Sequence, residues 1–143
     1  ATLLTSEFLP SMRDRKFGRV LTVTSLSVLE PIDHLVVSTA MRSAVTAWSK
    51  TLAVEIAADG ITVNTIMPGV IHTGRIESLR KARAEREGTT FEQEMQKTRD
   101  LMPLKRLGKP EELADLATFL ASPRAAYITG MNMSVDGGLR KGW

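Results

Sequence analysis

The chain has no cysteine and only one tyrosine, Tyr127, in 143 residues. Without thiols it can form no disulfide, no thiolate nucleophile and no cysteine-type zinc site, and no metal centre is expected. A reducing, cytoplasmic setting suits that composition. No apolar run approaches the roughly 20 residues that a membrane span needs, so a membrane partner is not expected either. Charge of one sign is scarce. The formal net charge is +3, and Lys and Arg alternate with Glu and Asp, mostly between Arg75 and Asp100. Nucleic-acid binding needs a concentrated basic field, and none forms. Ala1-Thr2-Leu3-Leu4-Thr5 has neither an initiator Met nor the basic flank of a signal peptide, and reads as a segment of something longer.

What is present suits one globular domain: 43% hydrophobic and 24% charged residues. Three β-type runs stand between turn residues: Arg19 to Thr24 after Gly18, Ile61 to Met67 between Gly60 and Pro68-Gly69, and Met131 to Asp136 between Gly130 and Gly137-Gly138. A helix is expected from about Val37 to Ala58. Met41, Ala44, Val45, Trp48, Leu52 and Ile56 mark one face of it, and Gly60 follows as the cap. Another opens at Pro110-Glu111-Glu112, where Pro and acids suit a first turn; Leu113, Leu116, Ala117 and Leu120 form its buried stripe. Residues 1–15 fit the end of a further helix, packed by Leu3, Leu4, Phe8 and Leu9. The charged stretch from Arg75 to Asp100 reads as one or two exposed helices broken near Gly88-Thr89-Thr90. Alternating strands and helices imply an α/β fold with a parallel sheet, and three strands make half of a doubly wound one. Long excursions after a strand's carboxyl end are where such sheets place ligands. The excursion at 75–102 is therefore expected to be a substrate lid, with Met95, Leu101 and Met102 as its apolar contacts.

Several motifs recur in order. Gly18 to Ser25 resembles the strand of short-chain dehydrogenases/reductases that ends in a Ser-Ser pair, and Ser25 takes the position of the catalytic Ser. In that family Tyr follows thirteen residues later and Lys four beyond it; here those positions hold Ser38 and Arg42. Lys50 to Glu55, Gly60 to Gly69, Val70-Ile71-His72-Thr73, Pro103 to Glu112 and Tyr127 to Gly138 are similar to further family segments at matching offsets. The resemblance covers essentially the whole chain.

That resemblance implies the C-terminal half of a Rossmann-type doubly wound sheet and an NAD- or NADP-dependent oxidoreductase, similar to 3-oxoacyl-carrier-protein reductases. Its substrate would be a small carbonyl or hydroxyl compound, and its assembly a homodimer or homotetramer with the helix bearing Met41 at a subunit interface. The family's Gly-rich first turn and its tetrad Asn are expected ahead of Ala1. The implied catalytic residues are Ser25, Ser38 and Arg42, and the implied cofactor residues are Arg42, Pro68, Gly69, Ile71 and Thr73. A phenol, with a pKa near 10, can be brought by a neighbouring cation within reach of neutral pH, whereas an aliphatic hydroxyl such as Ser38 is far less acidic. A guanidinium keeps the positive charge of Lys with a different geometry, and at Arg42 it suits ribose hydroxyls. Tyr127, in a Tyr-Ile-Thr-Gly segment, is expected to plug the core. His34 and His72, as imidazoles, are the alternative proton donors. An inactive nucleotide-binding or scaffold protein is the competing expectation.

Overall fold

The structure, a computed structural model, describes residues 1–142. Helix α1 (Thr2–Asp14) leads into strand β1 (Gly18–Val23). Helix α2 (Val36–Ile56) then crosses to strand β2 (Ile61–Pro68). Three helices follow, α3 (Gly74–Glu87), α4 (Phe91–Leu101) and α5 (Pro110–Ala121), before strand β3 (Asn132–Val135). The sheet is parallel throughout, in the order β1-β2-β3, with Val23 opposite Ile66 and Pro68 opposite Val135. All three carboxyl ends therefore reach one edge, as the sequence implies.

Alternating strand residues feed two cores. Val20, Ile61 and Val63 meet Ala53 and Ile56 of α2, with Leu9 and Met12 of α1 packed alongside. On the opposite face Ile66 meets Leu120 of α5 and Ala125, flanked by Leu21, Leu113, Leu116 and Ile128. Gly60 ends the α2 segment at φ 74°, a left-handed conformation that favours glycine.

Three expectations fail here, the first two in part, since Ile56 and Leu52 of the expected α2 stripe and Leu9 of α1 do pack on the core. The buried residues of α2 are Thr46, Ser49, Ala53 and Ile56, whereas Met41 is 66% exposed and Trp48 only half-buried. Small hydroxyl residues let the helix lie close to the sheet, and the larger apolar stripe points partly away. In α1, Leu9 packs against the sheet while Leu3, Leu4 and Phe8 stay exposed. Tyr127 is fully exposed, and its neighbour Ile128 takes the inward place beside Leu120 and Ala125.

The charged excursion is a hairpin of two helices that turns at Gly88, φ 65°. Thr90 starts α4 with a capping box: Gln93 N–H donates to Thr90 Oγ1 (3.2 Å), and Thr90 N–H donates to Gln93 Oε1 (2.9 Å). The hairpin closes around the buried Glu94, whose carboxylate accepts from Lys97 Nζ (2.6 Å) and Thr89 Oγ1 (3.0 Å) and pairs with Arg83 Nε (3.2 Å). The Lys97 ammonium, the Thr89 hydroxyl and Arg83 together hold this carboxyl below its ordinary pKa, against the upward pull of burial. Met95 and Met102 are buried, so of the three expected lid contacts only Leu101 remains exposed.

Candidate functional site

Polarity rises along the contact between α2 and the sheet. Near the amino ends of the strands the contact is apolar. One turn of α2 higher, Thr22 Oγ1 bonds to Ser49 Oγ (3.1 Å) and to Thr65 Oγ1 (2.9 Å). Towards the carboxyl edge Thr46 Oγ1 donates to the Arg42 carbonyl (2.9 Å) and reaches Thr24 Oγ1 (3.5 Å). At the top Arg42 Nη1 donates to the Thr24 carbonyl at 2.6 Å, and Nε donates to Ser38 Oγ at 3.3 Å. The i, i+4 spacing puts Ser38, Arg42 and Thr46 on one helix face. The bond to Thr24 then brings Ser38 and Arg42 to the end of β1, beside Ser25.

Ser25 follows that strand end in an extended conformation and caps a short 3-10 turn, Leu26–Val28. Its Oγ accepts from the Ser27 N–H (3.1 Å), which leaves its own O–H free to donate.

Pro68 ends β2 on the same edge. The Gly69 N–H donates to the Val135 carbonyl (3.0 Å), and a Cβ at Gly69 would lie 2.7 Å from Asp136 Cβ and 2.8 Å from its Cα. Glycine is thus required by the close approach of the C-terminal turn. Ile71 pairs with Gly108 across a single bridge, and His72 N–H donates to the Gly108 carbonyl (2.8 Å). Thr73 stands at the start of α3 without capping it by its side chain. Its hydroxyl and the first N–H groups of α3 stay open to a ligand.

The alternative proton donors fare differently. His72 Nε2 lies 3.1 Å from Glu77 Oε1 on the exposed start of α3. His34 sits in the exposed loop before α2 at φ 64°. Tyr127 lines a cleft with Lys16, Phe17, Gly60 and Ile61 at the amino ends of β1 and β2. About 20 Å of strand separates it from Ser25, too far for proton transfer. Among the described residues no cluster of three or more His, Asp or Glu could hold a metal ion, and no helix is long and apolar enough to cross a membrane.

Behind the Pro68 to Thr73 segment lies a cavity of about 280 Å³, bounded by Val70, Ile71, Met102, Leu104, Arg106 and Glu112. Arg106 grips Glu112 with two nitrogens, at 2.8 Å and 2.6 Å, and the Lys109 N–H donates to the same carboxylate at 2.7 Å. These bonds pull the Glu112 pKa from 4.5 to about 2, the Arg106 bond contributing most. The pair fixes the start of α5 and is already satisfied.

Sequence reasoning missed Thr24, whose carbonyl accepts from the Arg42 guanidinium, and Thr46, which donates to the Arg42 backbone carbonyl. Ser38, Arg42, Thr46 and Ser49, spaced by four, four and three residues, form a polar line on one helix face, and that spacing carries the signal.

A family model described as enoyl-(acyl carrier protein) reductase matches residues 1–140. The 3-oxoacyl-(acyl-carrier-protein) reductase FabG of Buchnera aphidicola subsp. Acyrthosiphon pisum is 35% identical over 136 residues, which are 95% of this chain and 51% of that protein. L-sorbose reductase from Gluconobacter frateurii, solved with NADPH and L-sorbose, superposes with a TM-score of 0.92 at 34% identity, over 98% of this chain and 54% of its own. An NADPH-bound short chain oxidoreductase from Pseudomonas aeruginosa PAO1 containing an atypical catalytic center gives a TM-score of 0.82 at 34% identity, over 97% and 52% of the two chains. The chain spans about half the length of the curated relatives it matches. With a match along nearly its whole length and a parallel sheet of matching architecture, the chain belongs to the short-chain dehydrogenase/reductase family.

Proposed function

We propose that residues 1–143 carry the nicotinamide side of the active site of an NAD(P)-dependent oxidoreductase that interconverts a carbonyl and a hydroxyl group. The observation that carries this reading is the pair of bonds from Arg42 to the Thr24 carbonyl and to Ser38. They bring Ser38 and Arg42 to the strand end that Ser25 follows in the chain, on the edge that also holds Pro68, Gly69, Ile71 and Thr73. Ser25 and Ser38 each accept one hydrogen bond within the fold and keep an O–H to donate to the substrate oxygen. The open first turn of α3 with the uncapped Thr73 hydroxyl fits the phosphate and carboxamide of a dinucleotide, and Arg42 suits its ribose hydroxyls. NADPH bound to solved relatives supports that cofactor class. When bound, the cofactor gives or takes the hydride.

The 3-oxoacyl thioester is the first substrate to test, given the reductase from Buchnera. The α3–α4 hairpin is read as the substrate lid. Val37 and Met41, exposed on α2, fit a homodimer or homotetramer contact. A cytoplasmic location belongs to the same reading.

A second reading, a nucleotide-binding or scaffold protein without turnover, is favoured by Ser38 and Arg42 standing where the family has Tyr and Lys. NADPH oxidation with acetoacetyl thioester and quinone substrates separates the two, using the longest natural chain that contains these residues. On the first reading turnover is observed, and Ser25→Ala lowers kcat about 100-fold while the NADPH Kd moves less than about threefold. Tight NADPH binding with no turnover on any substrate would overturn it in favour of the second.

A further inference from the structure

Arg42 carries a charge that no described residue compensates. The side chain is half-buried, and its two acceptors, the Thr24 carbonyl and the Ser38 hydroxyl, are both neutral. Among the described residues no carboxylate pairs with it; the half-buried Arg19 also lacks one, but its guanidinium has three carbonyl acceptors and lies over the Phe17 ring. The half-buried acid in the preceding loop, Glu30, is taken by the backbone N–H of Lys141 (2.8 Å). Asp33 and His34 lie exposed in the same loop, and Lys50, two turns along α2, donates to the Gly130 carbonyl (2.8 Å). The Nη2 nitrogen of Arg42 has no partner within the described residues.

A partly desolvated cation without a counter-ion favours a ligand that brings negative charge. Ribose hydroxyls accept hydrogen bonds but leave the charge uncompensated. A carboxylate does both, because its two oxygens match the planar fork of a guanidinium. Two bonds already fix the orientation of that fork, so little side-chain freedom remains to be lost when the ligand arrives.

We propose that Arg42 is a specificity-determining residue of this site, and that the substrate carries a carboxylate close to the carbonyl or hydroxyl group that reacts. The proposal rests on the oxidoreductase reading given above. In this arrangement Nη2 and the remaining N–H of Nη1 hold the acid, in place of the ribose contact suggested above, while Ser25 and Ser38 donate to the reacting oxygen.

Acetoacetate and ethyl acetoacetate share one ketone and differ in charge. With the longest natural chain at saturating NADPH, kcat/KM for the acid is expected to exceed that for the ester about tenfold or more. That ratio is expected to fall to about one in Arg42→Met and to be partly retained in Arg42→Lys. Calorimetry with malonate, which cannot react, is expected to give a Kd about tenfold weaker in Arg42→Met. Equal kcat/KM for acid and ester in the unmodified protein overturns the proposal, as does malonate binding unchanged by Arg42→Met. Should Arg42→Met weaken NADPH binding about tenfold and leave the acid-to-ester ratio intact, the anion belongs to the cofactor and the proposal fails. Malonate binding that depends on Arg42, in a protein that neither binds NADPH nor turns over, upholds the anion site while the oxidoreductase reading fails. Circular dichroism checks the fold of Arg42→Met; if that variant unfolds, the unmodified protein and Arg42→Lys decide.

Discussion

Where α2 meets the sheet, contacts are apolar at one end and run hydroxyl to hydroxyl at the other. Where α3 meets α4, charged groups gather round a buried carboxylate. The first interface contains no ion pair among the described residues, and the second is closed by Arg83 and Lys97 on Glu94. Neutral hydroxyl pairs tolerate burial and hold their geometry across pH, because nothing in them titrates near neutrality. An ion-paired hairpin depends on the protonation of its acid. The α2–sheet contact thus holds no pair that titrates near neutrality, while the hairpin that is read as a lid is closed on an acid.

The sharpest way to break that comparison is at the sheet edge. Gly69→Ala forces a Cβ against the Asp136 backbone and is expected to cost about 2–3 kcal/mol in chemical denaturation. A loss below about 0.5 kcal/mol would mean that the C-terminal turn yields, and that the edge is not the rigid partner.

Glu94 tests the other side. Its pKa is depressed from the usual 4.5, so its contribution is fully present above that value. It is lost as pH falls through the lower, folded-state pKa. Glu94→Gln is expected to speed hydrogen exchange of amides 84–102 about tenfold at neutral pH, leaving the sheet amides unchanged. On acidification the unmodified hairpin should approach the variant. If both exchange alike at neutral pH, the ion pairs contribute nothing to the hairpin.

The smallest effect is expected at Tyr127. Fully exposed, it should tolerate Tyr127→Ala within about 0.5 kcal/mol of denaturation free energy. A loss near 3 kcal/mol would restore the core role that its motif suggests.

Much of the fold is legible in residue order. Gly and Pro punctuate every strand, Gly88 marks the break between the hairpin helices, and Pro110-Glu111-Glu112 announces α5. The buried face of α2 is not legible by the same means. Apolar periodicity selects Met41 and Trp48, but burial follows Thr46 and Ser49, whose hydroxyls reach Thr24 and Thr22 on a distant strand, Thr46 also bonding to the Arg42 carbonyl within its own helix. Tyr127 misleads for a similar reason, since Ile128 beside it is equally apolar and only the path of the chain decides which of them points inward. Within the site, only the offsets of the family that the chain resembles single out Ser25, Ser38 and Arg42. Thr46 lies in the polar line that the spacing along α2 shows, whereas the Thr24 carbonyl emerges as an anchor only once helix and strand lie side by side.

The gradient along α2 also bears on how such a protein can change. Its apolar end, at Ala53 and Ile56, secures the helix about three to five turns away from Ser38 and Arg42. Replacements near the carboxyl edge therefore draw little on the contacts that keep the chain folded. A helix divided in this way can vary at Ser38 and Arg42 without disturbing the packing of Ala53 and Ile56.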